Sequence, residues 1–471
     1  MVLKFRWCGF FIFSAMTCLA VHGNSVNETQ NPPYYNSIEE TKIDTPDFSM
    51  TGYANLEGEG LLTTTGGEGG ITDTVSTLED LEAYAKSREE NTSPGILYIK
   101  GKIESPESLV ISIKHGANIS IIGLGNDAEL HNVGLKIWDY VNVIVRNLTI
   151  HEVFYPNDAI TIDECHHVWI DHCELYSKIG EGIGVDTYDG LLDIKNGSRY
   201  VTVSWNYLHD HMKCSLIGHS DNSSHEATDS RFRITFHHNY FQNTDGRNPS
   251  LRFGAVHMYN NYLDNIADYG VAVRQAAHAK IEYNHFNSVS IPVTTNKFDG
   301  PEGFVCMSGN IYSGTCTEAD NSITQTDCDF WDDLPYTYEP DSADEVAMLV
   351  QLYAGAGILD TVKAADPDTS ETPVNISKAN ISQSSRSFTA SAPWPNPAGE
   401  TFNFDISVSK DGSLEIIITD IGGRMIKILP GQMLHPGGNR IQLNRNDLDQ
   451  GVYFYIFKYQ NQTLVRKVCF M

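Results

Sequence analysis

The sequence predicts an all-β protein: a right-handed parallel β-helix with short capping helices, plus a small C-terminal β-sandwich. Three observations predict this fold class. From about residue 118, short alternating apolar runs recur at intervals of roughly 22 to 33 residues. The last four runs share an asparagine before an aromatic residue, at Asn206, Asn239, Asn261 and Asn284. Near the C-terminus, alternating apolar strands are separated by glycine-rich turns.

Composition and charge bound the classes of protein that the chain can belong to. It has 471 residues, 41% of them hydrophobic and 10% aromatic, which is enough for a large core and more than one domain. The 60 acidic residues outnumber the 32 lysines and arginines, for a net charge of -28. We therefore expect no nucleic-acid partner, because phosphate binding needs a cationic surface. The acidity fits a secreted protein or one that binds divalent cations.

The first segment, residues 1–23, is typical of a secretory signal peptide. Lys4 and Arg6 precede an apolar run of roughly a dozen residues, followed by small residues. This run is too short for a membrane anchor, and we expect no membrane span in the mature chain. Of the nine cysteines, Cys8 and Cys18 lie in this segment, so seven remain. They allow up to three disulfide bridges, which the sequence alone cannot pair.

A polar linker, residues 24–50, leads into the predicted β-helix domain, residues 51–360. Its first helix is predicted at "LEDLEAYAKSREE", where Thr77 and Asp80 form a near capping box. Its last helix follows a predicted capping box of Ser342 and Glu345 and is ended by Gly355.

The β-helix itself follows from what a short strand can bury. One such strand cannot cover its inner face alone, whereas coils stacked about 4.8 Å apart pair every strand with its neighbours. Asparagines that recur at one corner can hydrogen-bond to each other along the stack. The alternative, a sandwich of antiparallel hairpins, needs two-residue turns, and the connections here are too long.

Four ordered blocks carry a resemblance to a known family. They are "VWIDHCEL" (168–175), "DGLLDIKNGSRYVTVSWNYL" (189–208), "KCSLIGHSD" (213–221) and "GRNPSLRFGAVHMYNNYL" (246–263). In order and spacing they resemble the signature blocks of the pectate lyases, within the large β-helical polysaccharide lyase family. The resemblance extends from near residue 52 to near residue 358. It implies calcium-dependent cleavage of poly-α-1,4-galacturonate (pectate) by β-elimination.

The resemblance also implies the metal ligands. The Ca²⁺ ligands fall on Asp158, Asp189 and Asp193, and Asp186 is a weaker candidate. Some family members carry another aspartate two residues before the first, where this chain has Pro156. We therefore expect one protein ligand fewer and calcium binding that substrate carboxylates complete.

Three cations are implied to act on the substrate. By the resemblance, Lys213 grips the substrate carboxylate, Arg252 binds substrate, and Arg247 is the catalytic base. Elimination removes the C5 proton next to the uronate carboxylate, which cations on the carboxylate oxygens make more acidic. A guanidinium is normally protonated, so Arg247 can act as a base only where neighbouring cations favour its neutral form.

Several histidines and one more aspartate are interpreted as structural. Asp171 and His172 are expected on opposite faces of a strand. His237 and His238 stand beside Asn239 and are expected to be packing residues.

The end of the chain is predicted to be a second module. Residues 361–388 are rich in Ser, Thr, Asn and Pro and indicate a linker. Residues 389–471 resemble the C-terminal sorting domain of type IX secretion, with a PNP opening, "D..GR", "L..GVYF" and a basic end. The alternative is a carbohydrate-binding module, with Tyr453 and Tyr455 as its exposed aromatics.

Three function classes remain open at this point: a lyase, a galacturonan hydrolase on the same solenoid, and a non-catalytic glycan-binding β-helix. A hydrolase needs a carboxylic acid and a carboxylate flanking the scissile bond. The Arg247, Lys213 and Arg252 set favours the lyase. We expect a secreted monomer whose partners are pectate and, through the C-terminal domain, the secretion machinery.

Overall fold

The computed structural model describes residues 46–359, 388–390, 400–420, 425–445, 448, 451–459 and 462–470. The predicted signal peptide, most of the first linker and nearly all of the second lie outside the described residues. No helix within the described ranges is both long and apolar enough to cross a membrane.

The larger part of the described chain is built from short strands with few helices. A 3-10 turn at Tyr53–Asn55 precedes the first strand, and others lie at Ser223–His225, Glu318–Asp320 and Asp329–Trp331. The strands and helices are, in chain order, β1 (Ile71–Val75), α1 (Leu78–Ser87), β2 (Gly95–Arg146), β3 (Thr149–His151), β4 (Ile160–Asp163), β5 (His166–Asp171), β6 (Glu174–Tyr176), β7 (Leu192–Lys195), β8 (Arg199–Ser204), β9 (Tyr207–Lys213), β10 (Leu216–Ile217), α2 (Glu226–Asp229), β11 (Arg233–His237), β12 (Tyr240–Gly246), β13 (Ser250–Arg252), β14 (Ala255–Tyr259), β15 (Tyr262–Arg274), β16 (His278–Glu282), β17 (His285–Thr294), β18 (Phe304–Ser308), β19 (Ile311–Ser313) and α3 (Ala343–Tyr353).

These strands pair in parallel along three tracks, as the sequence predicts for a β-helix. The first track stacks β3, β6, β9, β12, β15, β17 and β19. The second stacks β4, β7, β10 and β13, and the third stacks β5, β8, β11, β14, β16 and β18. The long β2 contributes a neighbour to the start of each track. The predicted parallel β-helix is confirmed.

The interior of the helix is filled by aliphatic side chains at matching positions of successive coils. On the third track, six of them align in register and are fully or almost fully buried: Val168, Val201, Ile234, Val256, Ala279 and Val305. Each strand thus buries the face that it could not cover alone.

The asparagine ladder lies at the corner between the third and first tracks. Each amide Nδ2 donates to the Oδ1 of the asparagine one coil further on, at 2.9 to 3.1 Å, from Asn206 through Asn239, Asn261 and Asn284 to Asn310. The first four are fully buried. The ladder is therefore confirmed and has one more member than the sequence pattern indicated.

The two longer helices begin and end near the predicted residues. Thr77 is the N-cap of α1 and accepts a hydrogen bond from the backbone N–H of Asp80 at 3.2 Å, as predicted. The predicted capping box of α3 is wrong, because the Ser342 hydroxyl donates to the side chain of Asp344 instead. Gly355 follows the C-cap with a φ of 97°, a conformation that favours glycine.

Asp171 and His172 do not lie on opposite faces, so that expectation is wrong. His172 has a φ of 48°, and this turn of the backbone brings its Nδ1 to 2.7 Å from Asp171 Oδ2. Arg146 Nε forms an ion pair with Asp171 Oδ2, and the Ser204 hydroxyl donates to Asp171 Oδ1, each at 2.7 Å. Both residues are fully buried, which fits the structural role expected for them.

A buried carboxylate on β16, Glu282, fastens a later part of the chain to the third track. Its Oε1 lies 2.9 Å from His257 Nε2 and from Lys280 Nζ, and the hydroxyl of Tyr338 donates to it. Burial opposes its ionisation, but hydrogen bonds from His257, Tyr338 and Lys280 outweigh it and lower the pKa of Glu282 to about 2.

One disulfide bridge is present in the described part of the chain, between Cys306 and Cys328. Cys165, Cys173, Cys214 and Cys316 are buried thiols. The side chain of Cys469 lies outside the described residues.

The C-terminal strands form two antiparallel sheets over one core, which confirms the predicted β-sandwich. The strands are β20 (Phe388–Ala390), β21 (Thr401–Val408), β22 (Gly412–Asp420), β23 (Met425–Leu434), β24 (Gly437–Asn444), β25 (Gly451–Tyr459) and β26 (Gln462–Phe470). One sheet has the order β20-β21-β24 and the other β23-β22-β25-β26. Tyr455 is fully buried in the shared core and Tyr453 packs against it, so neither is an exposed aromatic for carbohydrate.

Candidate active site

The six predicted site residues lie where strands of the first two tracks begin or end. Asp158 precedes β4, Asp189 precedes β7, Asp193 lies in β7, Lys213 ends β9, Arg247 follows β12, and Arg252 ends β13. Parallel stacking brings these positions onto neighbouring coils. Lys213 pairs with Gly246, next to Arg247, and Asp193 pairs with Thr161.

Asp158 and Asp193 form a buried carboxylate pair. Asp158 is 5% exposed and Asp193 is 3% exposed. The ammonium of Lys195 lies between them, 2.8 Å from Asp158 Oδ2 and 3.3 Å from Asp193 Oδ2. Asp158 Oδ1 accepts from the backbone N–H of Gly190 at 2.9 Å, and Asp193 Oδ1 accepts from that of Leu216 at 3.1 Å.

Gly190 marks the point where the two carboxylates converge. A Cβ atom at this position would lie 2.4 Å from Asp193 Oδ1 and 3.0 Å from Asp158 Oδ1. Any side chain here would collide with the carboxylates, so the absence of a Cβ leaves a small cradle lined by two anionic oxygens.

Burial and neighbouring charges of opposite sign act in opposite directions on the ionisable groups of this cradle. Burial, and next to it the negative charge of Asp158, raise the pKa of Asp193 well above its usual range. The positive charges of Lys195 and Arg247 lower the pKa of Asp193 and so offset part of this rise. Although burial opposes the charge of Lys195, Asp193 and Asp158 raise its pKa overall. Among the cations that the structure describes, only Lys195 contacts both buried carboxylates, and a further cation in the cradle would lower the pKa of Asp193.

Asp189 is turned toward Lys213 instead. Lys213 is 9% exposed, and its ammonium lies 3.0 Å from Asp189 Oδ1 and 3.2 Å from Asp186 Oδ1. The backbone carbonyl of Asp189 accepts a hydrogen bond of 2.5 Å from His211 Nε2. Burial lowers the pKa of His211 to about 4, so the ring is neutral and holds this backbone as a donor.

Arg247 differs from the other cations of the site. It follows directly after β12 with a φ of 62°, and its backbone carbonyl accepts from the N–H of Ser215 at 2.7 Å. Its guanidinium forms no hydrogen bond and no ion pair with any residue that the structure describes. It is nevertheless near enough to Asp193 and His211 to affect their ionisation.

Arg252 belongs to a small ion-pair cluster with Arg274 and Asp221. Arg252 and Arg274 are register partners on adjacent coils. The carboxylate of Asp221 bridges them, accepting from Arg252 Nε at one oxygen and from Arg274 Nη2 at the other. Arg252 Nη1 also donates to the carbonyl of Gly218 at 2.8 Å. Two guanidinium groups are thus aligned along the stack by one half-exposed aspartate.

These residues fit a calcium ion in part. Carboxylate and carbonyl oxygens are the ligands that calcium takes, and the cradle over Gly190 supplies two carboxylate oxygens, Asp193 Oδ1 and Asp158 Oδ1. Within the described residues, the carboxylates of Asp158, Asp189 and Asp193 do not all lie within 4.8 Å of one another. A bound ion would therefore be held by Asp158 and Asp193, with Asp189 turning away from Lys213 to join them.

Sequence reasoning missed Lys195, Arg274 and Asp221. Lys195 stands two residues after Asp193 on a strand, so alternation already placed both on one face. The pairing of Arg274 with Arg252 depends on the register between coils, and no local pattern carries that information.

The chain matches two protein families. The family described as "Pectate lyase" matches residues 42–359. The family described as "Secretion system C-terminal sorting domain" matches residues 393–470.

Curated relatives of the first part of the chain are similar over most of their length. A pectate trisaccharide-lyase of Bacillus licheniformis is 40% identical over 315 residues, which is 66% of this chain and 87% of that protein. Pectate lyase A of Emericella nidulans is 35% identical over 337 residues, which is 71% of this chain and 95% of that protein.

Solved structures show the same similarity. Pectate lyase Bsp165PelA from Bacillus sp. N165, solved in complex with trigalacturonate, is 34% identical with a TM-score of 0.59, covering 66% of this chain and 99% of that one. Pectate lyase II of Xanthomonas campestris is 28% identical with a TM-score of 0.57, covering 66% of this chain and 98% of that one.

Proposed function

Because this chain belongs to the pectate lyase family and is a polysaccharide lyase, we propose that it is a secreted, calcium-dependent enzyme acting on (1→4)-α-D-galacturonan. It cleaves the chain by β-elimination and releases unsaturated oligogalacturonides. The observation that carries this proposal is the free guanidinium of Arg247 beside a cradle of buried carboxylates, with Lys213 and Arg252 on adjoining coils.

Calcium is proposed to bind at the cradle over Gly190. Asp158 and Asp193 would hold it, Asp189 would complete the protein ligands, and substrate carboxylates would fill the remaining positions. When bound, the ion neutralises the uronate carboxylate and makes the C5 proton more acidic. Pro156 supplies no carboxylate, so the main predicted ligands are three, Asp158, Asp189 and Asp193.

The cationic side chains are proposed to hold the substrate for the elimination. Lys213 leaves Asp186 and Asp189 and donates to a uronate carboxylate, while Arg252 binds a second carboxylate of the chain. Both contacts withdraw charge from the substrate as negative charge develops at C5. Arg274 is aligned with Arg252 and adds a second guanidinium beside it.

Arg247 is proposed to take the proton. Its neutral form accepts the C5 proton through a guanidine nitrogen, the C5–H electron pair forms the C4=C5 double bond, and the C4–O bond breaks. The departing oxygen then takes a proton from solvent. The guanidinium forms no hydrogen bond and no ion pair with a described residue, so its nitrogens are available to the substrate, which supports this role.

Export is proposed to use both ends of the chain. Residues 1–23 act as a signal peptide for the first membrane, and residues 389–471 direct the protein to type IX secretion machinery. The family match over residues 393–470 supports the second step.

The alternatives have less support from the described residues. A hydrolase needs one protonated and one ionised carboxyl group flanking the scissile bond. In this site Asp158 and Asp193 share Lys195, and Asp189 is paired with Lys213. A non-catalytic glycan-binding protein has no need for an unpaired guanidinium beside a carboxylate cradle.

One experiment separates the three classes. The full chain is incubated with polygalacturonate and calcium, and the ultraviolet absorbance of an unsaturated product is followed. A lyase increases the absorbance, a hydrolase releases reducing ends without it, and a binding protein does neither. Arg247→Ala is the matched variant, which should abolish the signal while leaving the fold unchanged.

A further inference from the structure

The segment between β10 and β11 brings together two imidazoles and a carboxylate. His225 and Asp229 are four residues apart on a continuous helical stretch, the 3-10 turn Ser223–His225 followed by α2, so their side chains share a face. His219 contacts His225 with ring centroids 4.6 Å apart and ring planes 77° apart. Each of these three residues, His219, His225 and Asp229, offers one ligand atom, and the three atoms all lie within 4.8 Å of one another.

Asp229 provides a second, independent observation. It is fully buried, and one of its oxygens accepts from the backbone N–H of Gly197 at 3.0 Å. Its other oxygen, Oδ2, is buried and has no hydrogen-bond partner among the described residues. A buried carboxylate oxygen without a partner is unfavourable and calls for a cation or a donor. Burial raises the pKa of Asp229, and the nearby His219 and His225 offset part of this rise.

The donor set indicates the class of ion. Two imidazoles and one carboxylate are typical ligands of Zn²⁺ and related transition metals, whereas calcium takes oxygen ligands. Tetrahedral bonds of about 2.1 Å place ligand atoms about 3.4 Å apart, so each pair of ligand atoms has to approach by about 1.4 Å at most. His219 is exposed and His225 half-buried, so side-chain rotation can supply this movement around a fixed Asp229.

A comparison within the molecule shows why ring orientation matters. His131, His151 and Glu152 also place ligand atoms within 4.8 Å of one another. There the imidazoles are stacked with planes 10° apart, so their in-plane lone pairs run parallel and cannot converge on one ion. The nearly perpendicular rings of His219 and His225 have no such restriction.

We propose that His219, His225 and Asp229 form a transition-metal site, with Zn²⁺ as its expected ion, separate from the calcium aspartates. Water occupies the fourth coordination position. The metal joins the exposed start of segment 218–229 to its buried end, and so restrains the part of the chain that carries Asp221.

The test measures metal binding directly and does not depend on the lyase activity. The full chain, purified without a histidine tag and stripped of metal, is titrated with Zn²⁺ by calorimetry in saturating calcium. We expect one equivalent to bind, and Co²⁺ in its place to give the visible absorption of a four-coordinate site. Zn²⁺ should also raise the melting temperature, because it binds the folded state.

Variants assign the site. His219→Ala and His225→Ala should each weaken Zn²⁺ binding at least tenfold, and His219→Ala decides if His225→Ala fails to fold, because His219 is exposed. His131→Ala in the other histidine group is the matched control and should leave binding unchanged. The proposal is overturned if the parent binds no Zn²⁺ in calcium, if the equivalent survives in His219→Ala, or if His131→Ala removes it.

Discussion

Asp221 gives the sharpest prediction about substrate binding. Its carboxylate bridges Arg252 and Arg274, the two guanidinium groups proposed to bind uronate carboxylates. If these arginines bind pectate as proposed, its carboxylates compete with Asp221 for their N–H donors. Asp221 is therefore an internal competitor, and Asp221→Asn, which removes the charge and keeps the shape, should strengthen substrate binding.

The size of the effect follows from exposure. The side chain of Asp221 is 46% exposed, so each of its two ion pairs is screened by water. Exposed ion pairs contribute about 0.2–1 kcal/mol each, and two of them about 1 kcal/mol. Since 1.4 kcal/mol is tenfold, we expect KM for polygalacturonate to fall about fivefold, with kcat unchanged within about twofold.

Initial rates over a range of polygalacturonate concentrations, at low and high salt, separate KM from kcat. The advantage of the variant should shrink at high salt because the competing ion pairs are screened. Asp139→Asn is the matched control, since Asp139 pairs with His115 at 2.9 Å on another part of the surface. A rise in KM, or a tenfold loss of kcat, would refute the reasoning and show that Asp221 orients the arginines.

Four further outcomes are expected. Chelation should abolish turnover and added calcium should restore it. Magnesium should restore it poorly, because it gives up its bound water reluctantly. Full activity in the presence of chelator would exclude the proposed role of the metal. Arg247→Lys should lower kcat by several orders of magnitude with little change in KM, and Arg252→Lys should mainly raise KM; near-parental turnover of Arg247→Lys would make Arg247 a binding group. Glu282→Gln should lower the free energy of unfolding by about 3 kcal/mol at pH 6, because the folded state lowers the pKa of Glu282 from 4.5 to about 2. The stability that this carboxylate adds is complete above about pH 4.5 and is lost as the pH falls toward 2. Denaturant unfolding should show this cost halved by pH 3, and equal costs at both pH values would exclude the charge effect. A chain truncated after residue 360 should fold and retain its turnover on soluble polygalacturonate, and a folded but inactive product would place part of the tail in catalysis.

The β-helix could be predicted because its order repeats along the chain. Each coil places an asparagine at the same corner, and a buried amide must find partners in the coils on both sides, so Asn206 to Asn284 stand out in the sequence. Asn310 belongs to the same ladder but precedes Ile311 instead of an aromatic residue, and for that reason the pattern did not include it.

Local competition between polar side chains could not be predicted in the same way. Ser342 and Glu345 have capping-box spacing, yet the serine hydroxyl donates to the nearer Asp344. Asp171 and His172 are consecutive residues, which would point to opposite faces in a regular strand. The left-handed φ of His172 ends the strand and brings the two side chains together. In both cases one backbone or side-chain rotation decides the outcome, and spacing along the chain does not determine it.

The candidate site depends on register between coils, which is why its aspartates and cations could be named but their pairing could not. The structure pairs Lys195 with Asp158 and Asp193, Lys213 with Asp186 and Asp189, and Arg252 with Asp221. An acidic chain can in this way keep a row of cations ordered in the absence of substrate.

This pairing also explains why one arginine can differ from its neighbours. A paired cation is held in its charged form and can exchange its own carboxylate for one of the substrate, which suits binding. A base must lose its proton, and an acidic partner would oppose that loss. Among the cations of the site that the structure describes, Arg247 alone forms no ion pair with an acidic side chain, whereas Lys213 and Arg252 each do, and this difference matches the separate roles proposed for them.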